Sequence, residues 1–348
     1  MLRRLVTILS LACAVLLSAA HAQEVAWSVD LNATVQNREG GDEQCPDQTF
    51  LFTRLMPQLG LSLDGGVHKV MGGVSWYQPM TNDCEGHKVV PVVYYKYEKG
   101  PWTASLGMLP RTMQVPTLLW SDSLNFVTPT VRGVDVEYKT QRGASRFMLD
   151  WRQMQSESRR EAFNVLYNAR YDIAGPLGID AWVAYNHLAK TKTNKEGQYV
   201  NDDITLLPML TLDLARYTPA MKALTVNAGA AVQLQRARDE HRWHTPCRLM
   251  VSANAQWRWL EVNEEFSTGK DAFPLYDRYS SELNLGDPYY RHKLYSRTDV
   301  NAHFVKNDYV DLYAGLTFHA TDKITGFWQT VSCRFYFDHN MWKRHRNK

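Results

Sequence analysis

Alternation with a period of two runs along most of the chain, and helical periodicity is nearly absent. Leu249, Val251, Ala253, Ala255, Trp257 and Trp259 alternate with Arg248, Met250, Ser252, Asn254, Gln256 and Arg258. Leu224, Val226, Ala228, Ala230, Val232 and Leu234 form a second apolar row, and Val310, Leu312, Ala314, Leu316 and Phe318 a third. Side chains alternate across a strand, so each segment reads as a strand with one apolar and one mostly polar face. A soluble sandwich alternates too. Three further features favour a membrane barrel. The strands run to about 10 to 14 residues, where soluble strands average five or six. Charges sit mid-strand on the polar face, as at Arg54, Arg152, Arg170 and Asp299. The connections alternate between short, as at Asp64-Gly65-Gly66 and Gln141-Arg142-Gly143, and long, as at 112–130 and 269–292.

Short turns on one side and long loops on the other are the habit of outer-membrane barrels. The expected fold is an all-β, transmembrane, antiparallel up-and-down barrel of about 16 strands, with 14 as the alternative count. Both termini then fall in the periplasm, and the loops 79–87, 190–203 and 269–292 face the cell exterior. Aromatic residues sort by height. Tyr95, Trp102, Tyr138, Trp257, Phe335 and Phe337 fall near the short turns, and Trp76, Phe163, Tyr185, Phe318 and Phe327 near the long loops. Two such girdles are the mark of two membrane–water interfaces.

Residues 1–22 read as a secretory signal, with Arg3 and Arg4 before an apolar run and Ala20-His21-Ala22 as the cleavage site. Residues 23–338 are assigned to the barrel and 339–348 to a basic periplasmic tail. No run of some 18 apolar residues marks a membrane helix. Lys and Arg total 39 against 36 Asp and Glu, and this near balance argues against a nucleic-acid partner.

Four stretches resemble porin-like outer-membrane barrels of the Bacteroidota: Leu55 to Met80, Ser105 to Arg111, Asp150 to Val165 and Leu283 to Tyr290. The resemblance covers about a fifth of the chain and brings no functional residues with it. It implies an outer-membrane barrel with no catalytic role. The basic end, Met341 to Lys348, departs from the usual stop at an aromatic residue of the last strand.

Candidate chemistry follows from parity. Arg54, Arg111, Arg146, Arg152, Arg170, Arg297, Asp299 and Arg334 face inward and would line a pore. The bland alternative pairs these charges across strands and fills the lumen. The loop Thr112 to Thr130 carries Pro116, Leu118, Leu119, Trp120, Asp122 and Phe126, and its apolar residues predict infolding as a constriction beside Arg54, Arg111 and Arg152. Cys45 and Cys84 lie in adjacent long loops and are expected to form a disulfide. Asp299, Asn301 and His303 share a face, but no nucleophile stands beside them, and His241, His244 and Cys247 make only a partial metal-ligand set. No metal, cofactor or catalytic residue is assigned.

The function expected from the sequence is a non-enzymatic porin for small hydrophilic solutes, with a weak anion preference. Outer-membrane lipids and lipopolysaccharide are its surroundings, and a homo-oligomer or a lipoprotein is a partner the sequence leaves open. The rivals are an outer-membrane hydrolase with its site near the extracellular rim, and a closed structural or partner-binding barrel.

Overall fold

A computed structural model describes residues 24–41, 45–80, 86–193 and 195–346. The segment expected to be a signal and Cys84 lie outside the described residues, and with Cys84 the expected Cys45–Cys84 pairing. Sixteen strands form the wall: β1 (Glu24–Glu39), β2 (Gln48–Leu63), β3 (His68–Pro79), β4 (Lys88–Lys99), β5 (Trp102–Pro110), β6 (Thr130–Thr140), β7 (Gly143–Gln153), β8 (Ala162–Ala174), β9 (Leu177–Leu188), β10 (Asn201–Asp213), β11 (Ala223–Ala237), β12 (Cys247–Trp257), β13 (Leu260–Gly269), β14 (Leu294–Lys306), β15 (Val310–Thr321) and β16 (Thr325–Asp338). Each pairs antiparallel with its neighbours in sequence, and β1 pairs with β16 from Ser28↔Asp338 to Glu39↔Phe327. The closed ring leaves no sheet edge, the condition for backbone in lipid. Among the described residues the connections and the end of the chain hold short α-helices: α1 (Asp122–Val127), α2 (Tyr276–Leu283) and α3 (His339–Arg346).

The period-two reading predicts which residues face out. Leu59, Leu106, Leu210 and Leu249 point away from the barrel and are each more than half exposed on the isolated chain. Together with Val93, Val251 and Val331 they form an apolar belt that water would penalise and lipid would cover. Aromatic pairs flank the belt: Trp102 and Tyr138 are 4.6 Å apart at the short-turn end, and Phe318 and Phe327 are 5.0 Å apart at the long-loop end. Val251→Arg should therefore cost about 2–4 kcal/mol, because it puts a charge at mid-belt. Ser252→Arg should cost little, because Ser252 lines an internal cavity with Asn227 and Asn254. Refolding into lipid vesicles under a urea series measures both, and equal losses would mean the parity is wrong.

The interior holds a core. Leu118, Leu119 and Trp120, from the connection between β5 and β6, are buried against Met148, Leu166, Trp182, Leu207 and Met250 of the inner wall. The connection between β13 and β14 enters as well. Its Leu275, Tyr279 and Leu283 cover Ala162, Leu188 and Ala237, three small or aliphatic inward residues. The sequence reading sent this second loop outward on its length alone. Its row of Phe273, Leu275, Tyr279, Leu283, Leu285, Tyr289 and Tyr290 has no apolar cover outside, so it buries that surface in the barrel.

The two loops join. Ser121 N–H donates to Leu285 O at 2.7 Å, Asp287 N–H donates to Thr117 O at 2.8 Å, and the Thr117 hydroxyl meets the Tyr290 hydroxyl at 2.8 Å. Gly286 permits the approach: a Cβ there would stand 1.9 Å from the Leu118 carbonyl oxygen.

Candidate functional site at the long-loop rim

The inward charges form pairs and clamps rather than an open ring. Arg111 pairs with Asp150, its guanidinium 3.8 Å from the Trp120 ring centre. Arg146 Nε donates to Asp135 at 2.8 Å, and Arg334 pairs with Asp30 at 2.8 Å. Arg297 binds both Asp299, at 2.9 Å, and Asp122 of α1, at 2.7 Å. Arg54 donates to Asn125 O at 3.3 Å, and Arg152 to Glu282 O. Arg170 stands opposite Asp180 and Ala144 in the sheet register. Phe126 packs on Phe50 and Phe52, at 5.3 and 5.2 Å. Pro116 lines an internal cavity with Arg297 and Asp299. Arg54, Arg111 and Arg152 thus hold the loops against the wall instead of facing them across an eyelet. Asp287, buried in the joined loops near Asp122, is pushed up to about 6, first by desolvation and then by that neighbouring carboxylate.

Two weaker sequence candidates separate in space. Asp299 bonds Arg297 and Thr317, whereas His303 bonds Asp311 at 2.6 Å. His244 Nε2 meets Glu240 at 2.7 Å, and this contact leads Arg242 and Arg278 in holding Glu240 below the usual carboxylate range. Among the described residues no three potential ligands gather around one point.

The outer wall carries a polar cluster that parity reasoning did not single out. On β9, Tyr185 and His187 alternate with the inward Asn186 and Leu188; on β10, Asp202 faces the same way as the exposed Leu206 and Leu210. Strand pairing puts Asp202 directly opposite His187. His187 Nδ1 lies 2.8 Å from Asp202 Oδ1, and the Tyr185 hydroxyl donates to the same carboxylate oxygen at 2.8 Å. Arg238 reaches Asp202 Oδ2 at 3.4 Å, with its side chain 54% exposed. Phe163 stacks on the imidazole at 4.8 Å and 23°, and Trp151 packs behind Phe163 at 5.3 Å. A carboxylate that holds Nδ1–H fixes the tautomer and leaves Nε2 as the basic ring atom. Such a pair can take a proton from water or return one to a leaving group. Its place is unusual, because it sits on the lipid-facing side, one residue from the end of β9. The signal lay in the sequence: His187 and Asp202 occupy outward positions where apolar residues belong.

Solved structures share this architecture. OccK11 (OpdR) of Pseudomonas aeruginosa matches over 90% of this chain and 96% of its own, with 9% identity and a TM-score of 0.52. A loop L8 deletion mutant of OmpT, an outer membrane protein of Vibrio cholerae, matches over 91% and 100%, with 12% identity and a TM-score of 0.53. At such identities the likeness shows the fold, a 16-stranded outer-membrane-type barrel. No curated protein matches the sequence. The expectation of a chain without enzymatic function does not survive the family comparison. A family model described as Lipid A 3'-O-deacylase-type matches residues 17–343, nearly the whole length. The chain belongs to the Lipid A 3'-O-deacylase-type family.

Proposed function

We propose that this barrel hydrolyses an acyl ester of lipid A in the outer leaflet, at the outward cluster of His187, Asp202 and Tyr185. The observation that carries the reading is a His–Asp pair on the lipid-facing wall, in a chain of a deacylase-type family. The long-loop end is taken as extracellular, which brings the cluster to the headgroup level of the outer leaflet. An ester bond of a glycolipid lies at that depth, between sugar and acyl chain.

Among the described residues no Ser or Thr hydroxyl bonds the His187 ring, so water is the nucleophile. His187 Nε2 takes a proton from water, and the resulting hydroxide oxygen bonds the ester carbonyl carbon. Asp202 stabilises the imidazolium so formed. The tetrahedral oxyanion faces the half-exposed guanidinium of Arg238, which reaches Asp202. Collapse breaks the carbon–alkoxide bond, and His187 returns its proton to the sugar oxygen. The products are a fatty acid and a deacylated lipid. Phe163 and Trp151 give the acyl chain an apolar wall beside the imidazole.

The test is direct. The purified full chain is incubated with lipid A vesicles in water enriched in oxygen-18. Released fatty acid should carry one heavy oxygen in its carboxyl group, and absence of released acid would sink the reading.

A second reading rests on the lumen. A cavity of about 330 Å³ near the short-turn end is lined by Asp30, Glu98, Asp135, Arg146 and Arg334, a polar space suited to small solutes. Passage through it would be a further property of the same barrel; Asp30, Glu98, Asp135 and Glu137 outnumber Lys96, Arg146 and Arg334 in the lining, which favours cations weakly rather than the anions expected from the sequence. Deleting residues 115–127 should then raise single-channel conductance in planar bilayers by removing part of the loop core. Absence of conductance in both forms would exclude the pore.

A further inference from the structure

Strand β16 ends at Asp338, and the chain passes directly into α3. The Asp338 carboxylate accepts the backbone N–H groups of Asn340 and Met341, each at 2.9 Å, and so caps the helix. The helix lies at the short-turn end against β1 and β16. Met341 is buried there, whereas Trp342 is 52% exposed. The Trp342 ring meets Phe337 edge-on at 6.3 Å. Phe337 faces outward and also touches Trp27, at 5.4 Å, and Tyr309, at 5.6 Å. Trp342 therefore extends the lipid-facing aromatic girdle beyond the last strand.

The sequence adds charge at this place. From His339 to Lys348 there is no acidic residue, and Lys343, Arg344, Arg346 and Lys348 are basic. Those four alone exceed the net charge of the whole chain, +3, so its positive excess is concentrated in one short segment.

We propose that α3 binds anionic phospholipid headgroups of the leaflet at the short-turn end. The aromatic contacts set the helix at the boundary of the hydrocarbon, where Trp is favoured. A short basic helix with an aromatic anchor is built to lie in that plane. Each Lys or Arg near an anionic surface raises affinity roughly fivefold, and salt weakens the effect. The contact pins the end of β16, whose pairing with β1 closes the barrel.

The experiment uses the full chain in lipid nanodiscs containing, as a minor component, brominated phosphatidylglycerol or brominated phosphatidylcholine. The quantity read is the part of the tryptophan quenching that Trp342→Phe removes. It should be several-fold larger with the anionic lipid, fall at high salt, and lose its lipid preference in a Lys343→Gln/Arg344→Gln/Arg346→Gln variant. Heat-modifiable migration on gels reports whether each variant is folded. Equal quenching by the two lipids in the parent protein overturns the proposal and needs no variant with altered charge. Persistence of the preference in the triple variant also overturns it. Quenching by neither lipid, with protection of the helix by an added anionic cell-wall polymer, would assign the charge to that polymer instead.

Discussion

A His187→Ala variant is expected to release acyl chains from lipid A about 10²–10⁴ times more slowly than the parent protein. The size of the effect follows from the role. Without the imidazole there is no base at the ester and no acid for the leaving oxygen. The barrel itself should be unaffected, because His187 bonds only side chains of its own cluster, Tyr185 and Asp202, and leaves the strand ladder intact. Asp202→Asn keeps the shape but removes the charge that stabilises the imidazolium, so it should lose most of the activity as well. Tyr185→Phe removes a donor to Asp202 and should cost less, about the value of one hydrogen bond to a charged group. Rates are read as released fatty acid per unit of folded protein. A His187→Ala protein of full activity would move the chemistry elsewhere on the wall.

The second large effect is structural. Arg248 is fully buried and donates to Ser267 Oγ at 2.8 Å and to three carbonyls of the β13–β14 loop: Lys270 at 2.7 Å, Tyr290 at 2.9 Å and His292 at 2.8 Å. One guanidinium thus holds both ends of an infolded segment. Arg248→Ala removes that donor and leaves the space of a large side chain. Each carbonyl left without a donor costs about 1–3 kcal/mol, so the folded loop should lose several kcal/mol relative to a released one. Trypsin offers the readout, since Arg278 and Arg291 lie in the segment. Cleavage there should become rapid in Arg248→Ala and stay slow in the parent. Arg248→Lys should fall between, because an ammonium cannot span the same carbonyls in one plane. Unchanged cleavage in Arg248→Ala would show that the apolar contacts alone hold the loop.

Much of the wall was legible because a strand's side-chain period is two. The run from Arg248 to Trp259 names its own faces, and turn composition marks the reversals, as at Gly175, which takes the positive φ of +57° that the short β8–β9 turn requires. The loop at 112–130 was legible for a similar reason: Leu118 and Trp120 have no apolar partner outside a barrel. The loop at 269–292 carries the same signal, yet its length and its position among the long connections spoke first. What periodicity does not give is partnership. That Arg111 pairs with Asp150 and Arg297 with Asp122 depends on register and on where a loop lands, and neither is written in one strand. The rim cluster shows a different loss. Tyr185 reads as one more girdle aromatic, and His187 and Asp202 belong to strands separated by a long loop. Only the pairing of β9 with β10 sets the two opposite each other. An outward His and an outward Asp at the same height were the available clue, since an ionisable group on the lipid face is costly without a use.

The most direct measurement is the mass spectrum of lipid A extracted from cells that make the parent protein, beside that from cells that make folded His187→Ala protein. Acyl-ester hydrolysis at the outer wall predicts a species lighter by one fatty-acyl chain in the first sample and its absence in the second. Lipid A of equal mass in the two samples, whether both intact or both shortened, would contradict the assignment of the site to His187 and Asp202.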